Sequence, residues 1–106
     1  MKDRLMYYHR DGTPYEGTPG DPHGTLAWGK DFENMKLKRV AYTDIPGKGY
    51  VSTVWMGLDH NFRDGPPLIF ESMYFGGGDD EDQERYSTEA EALAGHERMV
   101  KKHSSP

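Results

Sequence analysis

Hydrophobic and β-branched residues are concentrated in three short runs in the middle of the chain, and turn residues separate these runs. The runs cover residues 39–44, 50–58 and 68–75, and β-branched and aromatic residues dominate the second. Such residues fit the pleated surface of a strand. Residues 45–49 join the first two runs with one Pro and two Gly, which is typical of a hairpin, and a polar loop over 59–67 precedes the third run. The pattern predicts a three-stranded antiparallel meander.

The N-terminal part of the chain combines turn residues with one stretch of helical spacing. Residues 1–24 are rich in Pro and Gly, which predicts an arm with little regular structure. Trp28, Phe32 and Met35 then recur at intervals of three or four residues. This spacing predicts a short helix over 25–35 with the three side chains on one face.

The C-terminal part begins with an acidic run and continues with a clear helix signal. Residues 79–84 follow three glycines, and this composition predicts a flexible acidic loop that keeps the edge of the third strand from pairing. Thr88 and Glu91 form the sequence pattern of a capping box, so a helix is expected to begin there and to run to about Lys102. Its predicted buried stripe consists of Leu93, His96, Met99 and Val100. Residues 104–106 are expected to form a frayed tail.

These elements define one small α+β domain over residues 25–103, in which a three-stranded antiparallel β-meander packs with a C-terminal α-helix and a short N-terminal helix. The length of 106 residues agrees with a single domain. Both faces of the last two strands carry apolar side chains, whereas an antiparallel sheet usually keeps one face polar. An uncovered apolar face favours a docking surface. The candidate interface residues are Tyr42, Trp55, Phe70 and Tyr74.

Charge and composition narrow the classes of function. The chain has 18 acidic residues against 13 Lys and Arg, and the net charge of −5 disfavours direct nucleic-acid binding. It has no cysteine, which excludes a disulfide framework, a zinc ribbon, an iron–sulfur cluster and a cysteine nucleophile. No apolar run approaches the roughly 20 residues of a membrane span, and the N-terminus lacks the pattern of a signal peptide. A soluble, cytoplasmic protein is expected.

Candidate chemistry is confined to one polar loop. Asp59, His60 and Asn61 follow the second predicted strand, and Glu71 lies nearby on the third. A histidine oriented by a carboxylate can act as a base, so these four residues form the candidate ligand-binding set. The alternative is that the three loop residues are turn formers that bind backbone groups. No nucleophile motif accompanies them, and no catalytic residue is assigned.

The sequence predicts neither a metal site nor a cofactor. The five histidines show neither an HxH nor an HxxxH spacing. The acidic run over 79–84 lacks the alternating ligands and the central glycine of an EF-hand loop. The glycines at 76–78 are followed by acidic residues, which would repel a phosphate, and the two common glycine motifs of nucleotide-binding sites are missing.

Several stretches of the sequence resemble a known family. They are VSTVWMGLDHNF at 51–62, GPPLIFESM at 65–73, ERYST at 84–88, AGHE at 94–97 and the shorter LAW at 26–28. Together they are similar to a family of small bacteriophage and prophage proteins. The resemblance spans most of the chain and departs from the family in the Pro- and Gly-rich N-terminal arm. It implies a viral origin and the cytoplasm of a host cell, and it implies no activity and no catalytic residue.

The leading hypothesis is a non-enzymatic phage accessory protein that binds a host or phage protein, or that forms a homodimer. One alternative is a binder of a small ligand or metal, or a minor enzyme, that uses the loop at Asp59, His60 and Asn61. Another is an acidic inhibitor of a host defence protein that acts through residues 79–84. Neither a membrane nor direct contact with nucleic acid is expected in any of these functions.

Overall fold

The structure is a computed structural model that describes residues 7–16, 22–61, 65–76 and 82–104. These residues form, in chain order, α1 (Pro22–Phe32), α2 (Met35–Lys38), β1 (Arg39–Ile45), β2 (Gly49–Trp55), β3 (Phe70–Phe75), β4 (Asp82–Tyr86) and α3 (Glu89–Ser104). The α+β class, the antiparallel sheet and the C-terminal helix agree with the sequence prediction. Parts of the predicted arm, the acidic residues 79–81 and the last two residues of the predicted tail lie outside the described ranges.

In the described residues the sheet has four strands, so the prediction of three is wrong. The strand order is β1-β2-β3-β4, and all neighbours are antiparallel. The additional strand, β4, occupies residues that the sequence pattern assigned to the acidic loop and to the start of the helix. It pairs with β3 from Phe70 opposite Tyr86 to Tyr74 opposite Asp82. Because β4 is a polar edge strand, hydrophobic alternation does not reveal it.

Charged side chains on α3 hold β4 in place. Asp82 accepts hydrogen bonds from Lys102 and from His103, each at 3.0 Å, and these bonds lower the pKa of its carboxyl group, His103 contributing most. Arg98 donates to Glu84 at 3.2 Å. Two residues along a strand and four along a helix both advance by about 6–7 Å. The spacing of the two acids therefore matches that of Arg98 and Lys102.

Helix α3 begins at the predicted cap. The Thr88 hydroxyl accepts a hydrogen bond from the Glu91 amide and donates one to the Glu91 carboxylate, each at 3.1 Å. The buried stripe differs in part from the prediction, because Leu93 is exposed and Val100 is only half-buried. The residues that face the sheet are Ala92, Gly95, His96 and Met99. The ring of Tyr86 packs directly against Gly95, on the buried face of the helix.

Thr88→Ala is expected to lower the free energy of unfolding by about 1 kcal/mol, because the amide of Glu91 loses its capping acceptor. Urea unfolding measures the change. The control is Ser87→Ala, which alters the preceding residue and leaves the cap intact, and its effect should stay within about 0.5 kcal/mol. An equal loss in both variants would show that the cap contributes nothing specific.

The N-terminal residues 7–16 join the core. Tyr15 is buried, and its hydroxyl donates to Oδ2 of Asp31 on α1 at 2.7 Å. Burial and this carboxylate both raise the pKa of the Tyr15 phenol. On the same side, the indole of Trp28 donates to the carbonyl oxygen of Met56 at 2.8 Å. The described part of the arm is therefore tied to α1, and α1 is tied to the residue that follows β2.

Helix α1 begins earlier than predicted and ends at Phe32. Met35 starts a separate helix, α2, whose first turn is capped by the side chain of Asn34 accepting the Lys36 amide at 3.0 Å. Trp28 and Phe32 stack on each other with ring centroids 5.1 Å apart. The prediction that Met35 shares their buried face is wrong, because the break at Asn34 leaves its side chain exposed.

Among the residues that the structure describes, two hydrophobic clusters form the core. The larger consists of Tyr15, Trp55, Ile69, Phe70, Tyr86 and Ala92, and the second of Ile45, Val51, Tyr74 and Met99. The arm and α1 pack against the first cluster, through Tyr7, Tyr8, Trp28 and Phe32. The core therefore lies on the face of the sheet that α3 covers, and it continues under the arm and α1.

Candidate functional site

The polar loop after β2 is held by its own backbone. Asp59 is buried, and its Oδ1 accepts hydrogen bonds from the amides of Asn61 at 2.8 Å and Leu68 at 2.9 Å. Nδ1 of His60 lies 2.8 Å from the carbonyl oxygen of Leu58. A carbonyl oxygen only accepts, so this nitrogen carries the proton and donates. These contacts are those of turn-forming residues.

Glu71, the fourth member of the predicted ligand-binding set, belongs to another group of contacts. It lies on β3, where its Oε2 accepts hydrogen bonds from Gln83 and, at 3.1 Å, from Arg85. The amide of the Asn61 side chain donates to the carbonyl oxygen of Pro66 at 2.9 Å. The structure thus brings Asp59 and Asn61 together to close the loop, whereas Glu71 ties β3 to β4.

A buried polar network at the centre of the domain was not predicted as such. His96 on α3 is 5% exposed, with Nδ1 2.7 Å from Oγ1 of Thr53 and Nε2 2.8 Å from Oγ1 of Thr43. The Thr53 hydroxyl also bonds to that of Ser72. Burial lowers the pKa of His96, and the adjacent Glu97 opposes this effect more weakly. The sequence feature that could have indicated this network is a hydroxyl residue at an inward position on each of three strands, namely Thr43, Thr53 and Ser72.

This network provides hydrogen-bond partners for buried polar side chains. A substrate cannot reach two of its members. A hydroxyl next to an imidazole is the arrangement of a nucleophile and its base. Thr53 and Ser72, however, are fully buried, so a substrate cannot reach their oxygens. Thr43 is half-buried and lies at the edge strand β1. His96 fixes α3 to β1 through Thr43 and to β2 through Thr53. The Thr53 hydroxyl extends the network to Ser72 on β3.

Three of the four predicted interface residues lie inside the protein. Trp55 and Phe70 are in the larger core cluster and Tyr74 is in the second. The indole of Trp55 donates to the carbonyl oxygen of Tyr8 at 3.0 Å, which ties it to the arm. These residues cannot form a docking surface, because α3 and the arm cover the face on which they lie. Of the four, Tyr42 alone has an exposed side chain.

The opposite face of the sheet carries a row of aromatic rings that cover one another. The Tyr42 and Tyr50 ring centroids are 5.2 Å apart, and those of Tyr50 and Phe75 are 4.8 Å apart. The guanidinium of Arg39 lies 5.1 Å from the centroid of the Tyr42 ring. Stacking of this kind hides part of each ring. The second apolar face expected from the sequence is thus partly covered by its own side chains.

The two edges of the sheet differ in their protection. In the described part of the chain, β1 pairs only with β2 and β4 only with β3. The edge at β4 is short and charged, and its acids are bound to α3. Charged side chains and short strands are the usual means by which proteins prevent pairing at a sheet edge. β1 is longer, and its charged residues are confined to Arg39 and Asp44 near its two ends.

Exposed apolar side chains are concentrated around β1. Among the described residues, six large hydrophobic side chains are exposed, and four of these belong to β1, to α2 directly before it, or to the adjacent side of α3. The four are Met35 (53%), Leu37 (42%), Tyr42 (42%) and Leu93 (43%). A groove of about 330 Å³ runs between β1 and α3, lined by Ala41, Thr43, Leu93, His96, Glu97, Val100 and Lys101. Its walls come from β1 and α3 alone, and because β1 is an edge strand the groove lies at that edge of the sheet.

Neither protein-family models nor curated proteins nor solved structures give a match to this chain. Within residues 7–16, 22–61, 65–76 and 82–104, no three His, Asp or Glu side chains come close enough to hold a metal ion. None of the helices in the described part of the chain has the length and apolar character needed to cross a membrane.

Proposed function

We propose that this chain is a small phage-encoded accessory protein that acts without catalysis, by binding another polypeptide along the outer edge of β1. The observation that carries the proposal is the asymmetry of the sheet: the β4 edge is charged and its acids are bound to α3, whereas β1 carries charge only near its two ends and pairs only with β2 in the described residues. The sequence resemblance described above supplies the viral context and the host cytoplasm as the setting.

The mode of binding follows from the chemistry of a strand edge. An unpaired strand presents a row of backbone donors and acceptors, and an extended segment of another chain satisfies them by adding a strand. Affinity then comes from backbone hydrogen bonds, and specificity from side chains that enter neighbouring pockets. The groove between β1 and α3, with Leu93 at its rim, lies where such side chains would enter.

Support for a non-catalytic role comes from the polar groups themselves. Asp59, His60 and Asn61 bind backbone atoms of their own loop. Both ring nitrogens of His96 are engaged in hydrogen bonds, to Thr53 and to Thr43, and the Thr53 hydroxyl is fully buried. The described acids of the 82–84 segment are engaged by α3, which also favours the β1 edge over the acidic segment as the binding surface.

The test is site-specific photo-cross-linking of the full chain in a bacterial lysate. A photoreactive phenylalanine analogue replaces Leu37 or Leu93, which flank β1, and in the control it replaces Leu26 on α1. Leu26 is 69% exposed, so it is at least as accessible as the two edge positions. Adducts with a polypeptide, whether a host protein or a second copy, are expected from positions 37 and 93 and not from position 26.

Adducts from position 26 alone, or equal adducts from all three positions, would contradict binding at β1. A competing substitution sharpens the result. Leu93→Lys places a charge at the rim of the groove without disturbing the core, because the side chain is exposed, and it should abolish the adduct formed from position 37. The substitution Leu26→Lys serves as the matched control and should leave that adduct unchanged.

A further inference from the structure

We infer that the polypeptide bound along β1 is a second copy of this chain, paired antiparallel through β1 about a two-fold axis. The inference rests on the proposed function and names its partner. Its basis is that the surface around β1 is complementary to itself in three respects: backbone pairing, aromatic contact and charge. A C2 dimer requires this kind of self-complementary surface.

The exposed aromatic residue at the middle of β1 sets the register of such a pair. A two-fold axis perpendicular to the sheet sets the two β1 strands antiparallel, with one residue opposite its own copy. We place Tyr42, at the middle of β1, at the axis. Ala41 then pairs with Thr43 of the other copy, and Asp44 lies opposite the bulged segment that contains Arg39. Tyr42 is exposed in the single chain. In the dimer its ring packs against the same ring of the other copy, and aromatic pairs across strands stabilise a sheet.

The charges on β1 match in this register. Arg39 lies over the Tyr42 ring, and Asp44 accepts a hydrogen bond from the Tyr42 hydroxyl at 2.9 Å, so the three side chains share one face of the sheet. The register shift between Arg39 and Ala41 is what places Arg39 on that face, while Val40 packs toward the core. Antiparallel pairing about Tyr42 then brings Asp44 of each copy beside Arg39 of the other. Two contacts between opposite charges result, one on each side of the axis.

The helices follow the same symmetry. Because the axis is perpendicular to the sheet, α3 of both copies lies on one side of a continuous eight-stranded sheet, next to the joined β1 strands. The groove of each copy therefore opens toward α3 of the other. Leu93, exposed in the single chain, is covered in this arrangement. Because the two copies are identical, the second copy presents the same groove, the same Tyr42 ring and the same pair of charges to the first.

The decisive experiment uses two charge reversals in the full chain, Arg39→Asp and Asp44→Arg. Each variant alone should show a dimer dissociation constant at least about tenfold higher than the wild type, equivalent to about 1.4 kcal/mol, because both matched contacts become repulsive. An equimolar mixture of the two variants should associate like the wild type, because every contact is again between opposite charges. Sedimentation velocity over a concentration series measures both effects. Recovery in the mixture also shows that each variant is folded.

A second measurement checks the register. The chain has no cysteine, so a single introduced cysteine reports one position. Residues opposite each other in an antiparallel pair have Cα atoms about 4.5–5.5 Å apart, a separation that a disulfide spans. Tyr42→Cys should give a disulfide-linked dimer on mild oxidation. Phe75→Cys, exposed on the same face but on β3, should remain monomeric.

A wild-type chain that stays monomeric throughout the concentration series, or a mixture that does not recover, overturns the second-copy inference. If positions 37 and 93 still cross-link to a different protein, the proposed function stands without it. If they cross-link to nothing, both fail. Disulfide formation by Phe75→Cys in place of Tyr42→Cys would move the contact to the sheet face and would overturn pairing through the edge.

Discussion

Gly95→Ala is expected to destabilise the protein by about 1–2 kcal/mol, although alanine is the better helix former. Gly95 lies on the buried face of α3, where a Cβ atom would overlap the hydroxyl end of the Tyr86 ring. Tyr86 is itself buried in the larger core cluster and its hydroxyl donates to Glu84 at 3.3 Å, so a shift of the ring would disturb core packing and this hydrogen bond. Overpacking of a core costs about 1–3 kcal/mol, which outweighs the roughly 1 kcal/mol of helix propensity that alanine gains.

The same substitution elsewhere in the chain provides a matched control with the opposite sign. Gly29 lies in α1, and a Cβ added there has nothing within 4 Å. Gly29→Ala should therefore raise the free energy of unfolding by about 0.5–1 kcal/mol through helix propensity alone. Urea titrations of both variants measure the two changes. Stabilisation by Gly95→Ala comparable to that by Gly29→Ala would show that the Tyr86 ring does not pack on the helix at this point.

The sequence predicts those elements of the fold whose signals are local, and it does not predict the element that depends on distant partners. Strands β1 to β3 and helix α3 are recognisable because their signals are local: β-branched runs, a hairpin turn and the cap at Thr88. β4 is not recognisable in this way, because its acids are matched by charges that lie 14 to 21 residues further along the chain, as in the pairs Glu84–Arg98 and Asp82–His103. Without those partners in view, the segment has the composition of a solvated loop.

The candidate surface was harder to predict than the fold. Both faces of β2 and β3 are apolar, so the sequence pattern alone does not indicate which face the helix covers. Trp55 and Phe70 are for this reason predicted at an exposed interface, whereas the structure buries them in the core. The importance of the β1 edge becomes visible only when β4 is known to form the other edge and to be protected. Helical spacing did predict that His96 is buried. It could not predict its partners, since Thr43 and Thr53 are 53 and 43 residues away.

The free energy of unfolding is expected to fall as the pH is lowered from about 7 to about 5, with His96 responsible for the decrease. Burial between α3 and the sheet lowers the pKa of His96 below its ordinary value of 6.5, which it regains in the unfolded chain. Between the folded and the unfolded pKa, the unfolded chain binds a proton that the folded chain does not. Acid therefore favours unfolding, by at most about 1.4 kcal/mol per pH unit for a single proton.

Two variants separate the cause of this pH dependence from its side effects. His96→Gln removes the titrating group, so its urea midpoint should lack this acid-dependent loss even though the variant is less stable at pH 8. Thr43→Val removes the partner of Nε2 but leaves His96 buried, so the pH dependence should persist, since desolvation is its main cause. Asp82 does not contribute between pH 7 and pH 5. Its pKa is lowered in the folded chain, so the stability that its carboxylate provides is lost only when the pH falls below about 4. Full retention of the decrease in His96→Gln, or its disappearance in Thr43→Val, would show that burial of the imidazole is not what makes the fold sensitive to acid.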